Sequence, residues 1–319
     1  MIPKLVRVST GIELAICVIA FAALLAAPLY LNNLSTLFFV LMWISLAVSF
    51  NLFAGLTGYV NFGHAVFYGV GAYTAALAMA YQQLSPYVAV LLAGLATATL
   101  ALGLSVPTVR LRGAYFAIAT LSINQAFFLI FDNWEAVGSA PGFTLPISYY
   151  QPVTEYYAML AVAAATIGAF YTVSHSRVGV ALKAIKQQED TALSVGVNST
   201  LYKVIALVLS GFFAGMAGGT AIWQITIIDP PSAFDITFTV NSIAMTMLGG
   251  VGTFVGPILG SIILYEVIDF LSINYPLFHL IVLGAVILLV VLGIPDGIVG
   301  FLKRQIPHVR SALQKSKVK

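Results

Sequence analysis

The chain has 319 residues, 60% hydrophobic and only 8% charged, with a mean hydropathy of +1.00 and a formal net charge of +3. Soluble domains carry roughly 25% charge, so this composition excludes an ordinary globular protein and points to a chain that lives in lipid. An ionised side chain at mid-bilayer costs ~2.5 kcal/mol or more, which explains the scarcity of charge.

Apolar runs fall at about 12–31, 34–54, 62–80, 87–107, 114–131, 156–174, 204–223, 237–254, 256–273 and 277–293. Each is close to the ~20 residues that a helix needs to cross the hydrocarbon core. A helix also satisfies its own backbone hydrogen bonds in lipid, and the runs are too long for barrel strands. The expected fold is therefore all-α and integral to the membrane, a polytopic bundle of about ten transmembrane helices. Glycine-rich joints at Gly55 and Gly58 and at Gly249, Gly250, Gly252 and Gly256 leave about eight or nine crossings plus a re-entrant segment as the alternative.

Orientation follows from basic residues, which collect in cytoplasmic loops. With ten crossings and the N-terminus inside, all fourteen Lys and Arg fall inside, including Arg110, Arg112, Arg177, Lys183, Lys186 and Lys203. The opposite face receives Asp132, Glu135, Glu155, Asp229 and Asp235. Both termini are expected inside, with residues 1–11 a cytoplasmic N-terminus and the first run a retained signal anchor. Residues 12–299 form one transmembrane domain interrupted by a hydrophilic cytoplasmic loop at 175–203, and 300–319 form a basic cytoplasmic tail. The sole cysteine, Cys17, allows neither an internal disulfide nor a thiolate metal site, and no metal is expected.

Two outer segments stand out. Residues 132–155 are rich in aromatics, proline and acid, and 224–235 form a shorter loop stiffened by proline. Trp134, Tyr149, Tyr150, Tyr156 and Tyr157 suit an interfacial aromatic belt, and the acids suit a docking surface for an extracytoplasmic protein.

In the hydrophilic loop, Leu182 and Ile185 share one helical face of a segment running from Arg177 to Gln188, with Lys183 and Lys186 turned elsewhere. Glu189, Asp190 and Thr191 then open a second short turn, where acids meet the positive end of the helix dipole. Gly196 stops it in the left-handed conformation, and Asn198, Ser199 and Thr200 offer caps for the next span. A surface helix lying on anionic lipid has the same composition.

SRVGVALKAIKQQEDTALSVGVNSTLYK resembles the cytoplasmic loop of the permease subunits of ABC importers for branched-chain amino acids. Asp190, Ala192 and Gly196 follow the acid, alanine, glycine spacing of importer coupling loops, with Thr191 departing from the second-position alanine. NLFAGLTGYVNFGHAVFYGVGAYTAAL, LRGAYFAIATLSINQ, LSGFFAGMAGG and MLGGVGTFVGPILGS agree in the same order, covering about residues 45 to 262. The likeness is closer to the subunit of the permease pair that carries SRVG and GVN in this loop.

The resemblance implies a heterodimer with a paralogous permease subunit and docking on cytoplasmic ABC ATPase subunits. A soluble extracytoplasmic binding protein would deliver substrate to a complex seated in the lipid of the inner membrane. It places ATPase coupling at Glu189, Asp190, Thr191, Ala192, Leu193 and Gly196. The chain has no G-x-x-x-x-G-K-[ST] phosphate loop, so it is expected to bind no cofactor itself, with ATP and magnesium on the partner ATPase. It is read as a translocation subunit rather than an enzyme, with no nucleic-acid partner. Urea, short amides and other amino acids are alternative cargoes of related permeases. An ion-gradient-driven secondary transporter or channel is the alternative of another class, with only Glu266 and Asp269 on offer as intramembrane acids.

Polar residues inside apolar runs face protein or a water-filled path. Asn61, His64, Asn124, Gln125, Asn241 and Thr246 are therefore the candidates for a translocation path, with interhelical hydrogen bonding as the other role open to them. His64, with no acid in its own segment, is expected to be a structural donor. Gly63, Gly69, Gly71, Gly211, Gly215, Gly218 and Gly219 are expected to notch helices for close packing.

Overall fold

The computed structural model describes residues 34–275 without a break, together with 24–28, 30, 281, 284, 285, 288 and 297–300. The runs expected at 12–31 and 277–293, the segment 1–11, Cys17 and the tail 300–319 lie wholly or mostly outside the described residues.

The helices are α1 (Ser35–Phe50), α2 (His64–Gln82), α3 (Pro86–Thr108), α4 (Ala114–Asn133), α5 (Pro152–His175), α6 (Arg177–Gln187), α7 (Glu189–Ser194), α8 (Ser199–Ile225), α9 (Ile236–Gly249) and α10 (Gly256–Asn274). α1 continues into a π-helical turn, Asn51–Gly55. Proline opens α3 and α5 and follows the first residue of α10, positions where its missing N–H costs nothing. Among the described residues, six helices are long and apolar enough to cross a membrane: α1 with its π turn, α3, α4, α5, α8 and α10. α2 has the length but is rich in Gly, Ala and Tyr, and α9 has only 14 residues.

The run expected to cross at 237–254 is thus shorter than anticipated. Asp235 caps its start by accepting from the Thr237 N–H (2.8 Å), and the backbone turns at Gly250. Ahead of it, Ile227–Ile228 pairs antiparallel with Phe143–Thr144, and a helical turn at Pro230–Ala233 then packs down into the bundle. A Cβ on Gly69 of α2 would strike the Phe234 ring and the Ala233 carbonyl, so that glycine admits the returning chain. The interruption lies here, after a strand pair, as well as at the two glycine joints.

α1 and α8 are buried over most of their length and form the centre of the bundle. α2, α3 and α8 meet backbone to backbone, which lipid rewards because helices there associate through close contact and small residues permit it. A Cβ on Gly71 would come within 2.3 Å of the Gly215 carbonyl oxygen, and one on Gly218 within 2.1 Å of that of Tyr68. Short polar side chains add hydrogen bonds to α1: Ser210 Oγ donates to the Ser49 carbonyl (2.7 Å) and Thr246 Oγ1 to that of Ala47 (3.1 Å). α4 buries only Phe116, Thr120, Asn124 and Phe131, a single stripe, and leaves its other faces open.

The two long segments at the end opposite Arg112 close over each other. Trp223 Nε1 donates to the Tyr149 carbonyl (2.6 Å) and Tyr149 Oη to that of Met79 (3.0 Å). Of the five aromatics read as an interfacial belt, Trp134, Tyr150 and Tyr157 are exposed. Tyr156 instead belongs to the core, its hydroxyl donating to the Leu24 carbonyl (2.8 Å).

Candidate coupling site and membrane path

α6 and α7 form where the sequence pattern places them. Ser176 caps α6 through the Gly179 N–H, and Leu182 and Ile185 turn inward. Lys186 does not simply face away: its Nζ donates to the Gly55 carbonyl (2.9 Å), in the π turn of α1. The last carbonyls of a helix have no intrahelical partner, which makes Gly55, two residues before the end of this one, a ready acceptor. Asn51, in the same turn, donates through Nδ2 to the Thr253 carbonyl (3.0 Å) and accepts at Oδ1 from the Gly252 N–H (2.8 Å). The two glycine joints are therefore clamped to each other and to α6. The second joint is so tight that a Cβ on Gly249 would sit 1.7 Å from the Gly256 carbonyl oxygen, while Gly58 and Gly250 both turn with positive φ.

α7 begins with Glu189 and ends in a Schellman turn: the Gly196 N–H donates to the Leu193 carbonyl (3.0 Å) and the Val197 N–H to that of Ala192 (3.0 Å). Gly196 has φ +85°, the left-handed geometry glycine adopts freely. Asn198 Oδ1 then caps α8 by accepting from the Leu201 N–H (3.1 Å). Ala192 is buried; Asp190, Thr191 and Leu193 are exposed, and Val180 and Val195 join Leu193 as uncovered apolar side chains.

Glu189 ties this short helix to the spanning helices. Its carboxylate accepts from Lys203 Nζ (2.6 Å) at Oε1 and from the Tyr59 hydroxyl at Oε2 (2.5 Å). Lys203 is buried in the second turn of α8, also donates to the Val109 carbonyl (3.3 Å), and lies over the Tyr59 ring. Burial alone would raise the Glu189 carboxyl. Hydrogen bonds from Lys203, Tyr59 and Ser199, together with the Lys203 charge, outweigh it and hold the carboxyl below its ordinary value. The Tyr59 hydroxyl is raised, first by burial and then by Glu189. Asp190 pairs with Arg112 (2.9 Å), but both are exposed and water screens them. These are the two ion pairs found among the described residues.

The six path candidates separate. His64 Nε2 lies within hydrogen-bond range of Ser49 Oγ (3.2 Å) and the Leu46 carbonyl (3.2 Å), a structural contact between α1 and α2. Asn61 Oδ1 accepts from the Gly63 N–H (2.9 Å), Thr246 bonds to α1, and Asn241 is buried. Of the six, Asn124 and Gln125 border a cavity of about 580 Å³ between α4 and residues 231–236. Glu266 is exposed and Asp269 half-buried on α10. Sequence reading missed Tyr59, Asn51 and Asp235 as site residues and took Lys203 only as a marker of the cytoplasmic side. A lysine five residues after the Asn198 cap, at the head of an apolar run, is the signal that could have singled it out.

A bundle with six membrane-length helices and a surface loop bonded into their ends defines a multi-pass helical membrane protein. Residues 32–291 match the family described as the permease component of the branched-chain amino acid transport system, and the chain belongs to that family. It is similar to the high-affinity branched-chain amino acid transport system permease protein LivM of Salmonella typhimurium, 26% identical over 297 residues, covering 83% of this chain and 69% of that one. The Escherichia coli LivM matches to the same extent. LivH of Salmonella typhimurium, a permease protein of the same kind of system, is 26% identical over 284 residues, 80% of this chain and 90% of that protein. No solved structure matches.

Proposed function

We propose that this chain is the transmembrane permease subunit of an ATP-driven importer in the cytoplasmic membrane, moving branched-chain amino acids inward. With Arg110, Arg112, Arg177, Lys183, Lys186 and Lys203 on the cytoplasmic side, the α6–α7 loop presents Leu193 and Val195 to an ATPase subunit. The observation that carries this reading is the Lys203–Glu189–Tyr59 cluster, which binds an exposed two-helix loop rigidly to α8 and to the joint between α1 and α2. Closure of an ATPase dimer would push α7. Glu189 would pass the displacement to α8, and Lys186 to the glycine joints. Packed helices answer such a push by switching between discrete arrangements. A paralogous permease completes the pathway, an external binding protein delivers the substrate, and ATP and magnesium stay on the ATPase.

Reconstitution tests this. In proteoliposomes, uptake of leucine, isoleucine or valine should need ATP together with a second permease, the ATPase subunits and the binding protein. Uptake by this chain alone, following a proton or sodium gradient and indifferent to ATP, would overturn the reading.

A further inference from the structure

The cavity between α4 and residues 231–236 has a chemical character of its own. Asn124 lies ten residues above the start of α4, about 15 Å along the helix at 1.5 Å per residue, so the cavity sits halfway through the bundle. Leu121, Phe128, Phe234 and Ile236 supply apolar walls. Asn124 is only 5% exposed, and its Nδ2 is committed to the Phe234 carbonyl (3.0 Å), which fixes the opposite identity of Oδ1. That oxygen has no hydrogen-bond partner among the described residues. The oxygen is itself buried behind the cavity wall, and the Nδ2 bond holds the chain just ahead of Asp235. Asp235, on the same wall, uses one carboxylate oxygen to cap α9 and is exposed towards the opening. Among the described residues, no lysine or arginine lines the cavity. Asp235 has no ion-pair partner among the described residues.

We infer that this cavity is a contact site for a small aliphatic primary ammonium, its charged head on the Asp235 carboxylate and its chain against the four apolar walls. The site deepens the proposed function and rests on it for the choice of leucine as a probe. It reads the ammonium and the apolar chain, and leaves any carboxylate on the ligand facing the open side.

The test uses the full importer complex with Cys17→Ser and Ser122→Cys, which puts the chain's sole thiol on the cavity wall, and follows the rate of maleimide labelling. Leucine and isoamylamine should each slow labelling, by roughly tenfold at ten times the dissociation constant. Isocaproate, with the same chain and no ammonium, should leave the rate unchanged. Adding Asp235→Asn should abolish the protection. Equal protection by isocaproate and isoamylamine, or protection indifferent to Asp235→Asn, overturns the site. If Asp235→Asn does not assemble, the comparison of the two probes in the Asp235 protein decides alone. A complex that imports leucine with ATP but shows no protection overturns the site and leaves the permease function standing. Protection by the amines in a complex without ATP-driven uptake supports the site and overturns the proposed function.

Discussion

Lys203 carries its ammonium into a place with almost no water, and Glu189, Tyr59 and the Val109 carbonyl are what make that tolerable. Removing one member of a buried pair leaves the other uncompensated, which costs about 3–5 kcal/mol. Lys203→Met should therefore lower the unfolding temperature in detergent markedly, and the double variant Lys203→Met/Glu189→Gln should recover most of the loss. A single variant as stable as the parent would show that the pair is not buried in the assembled protein. The Glu189 carboxyl is held below its ordinary value near 4.5, so it binds a proton less readily folded than unfolded. Its contribution to stability is complete above that ordinary value and is lost as pH falls through the lower folded one. The stability margin of the parent over Glu189→Gln should accordingly shrink on acidification below about pH 4.5 and stay flat above it, as thermal unfolding against pH will show.

Among the elements, α7 is the one whose limits could be read residue by residue. The acids at its start, the glycine at its end and the asparagine cap that follows are local devices, each acting within about one turn of where it stands. The same locality yields a prediction. A Cβ on Gly196 would touch nothing, so the cost of Gly196→Val lies in the left-handed backbone alone, about 1–2 kcal/mol. That should unwind the end of α7 and uncouple ATP hydrolysis from uptake while leaving the binding protein's affinity for substrate intact. Gly196→Asn, which tolerates positive φ, should behave nearly as the parent. Asp190→Lys should also uncouple, since it would face Arg112 with like charge. Unchanged uptake in both Gly196→Val and Asp190→Lys would remove α7 from the coupling role. α9 was not legible in this way. Its apolar pattern runs on past Gly249, and nothing local announces that residues 230–235 turn back into the bundle.

For the whole molecule, stability in lipid rests on helix contact, and the closest contact joins α2, α3 and α8. Gly71→Leu would drive a branched side chain into the Gly215 backbone, which cannot yield as a side-chain tip would. Overpacking of this kind costs about 1–3 kcal/mol or more, and the yield of monodisperse protein from size-exclusion chromatography should fall accordingly. Gly103→Leu, at a position with open space around it, should leave the yield unchanged. Composition and run length by themselves determined that this is a helical membrane chain, because lipid forbids unpaired backbone and charge wherever the sequence would place it. Spacing of caps and glycines determined the α6–α7 loop, because capping is local. Which polar residues meet was decided only by the tertiary structure. Asn51 finds Gly252 and Thr253, Glu189 finds Tyr59 and Lys203, and Asn124 finds Phe234 and the cavity beside it, across separations of fourteen to about two hundred residues. Such pairings depend on how helices approach one another, and helical periodicity carries no information about its partner.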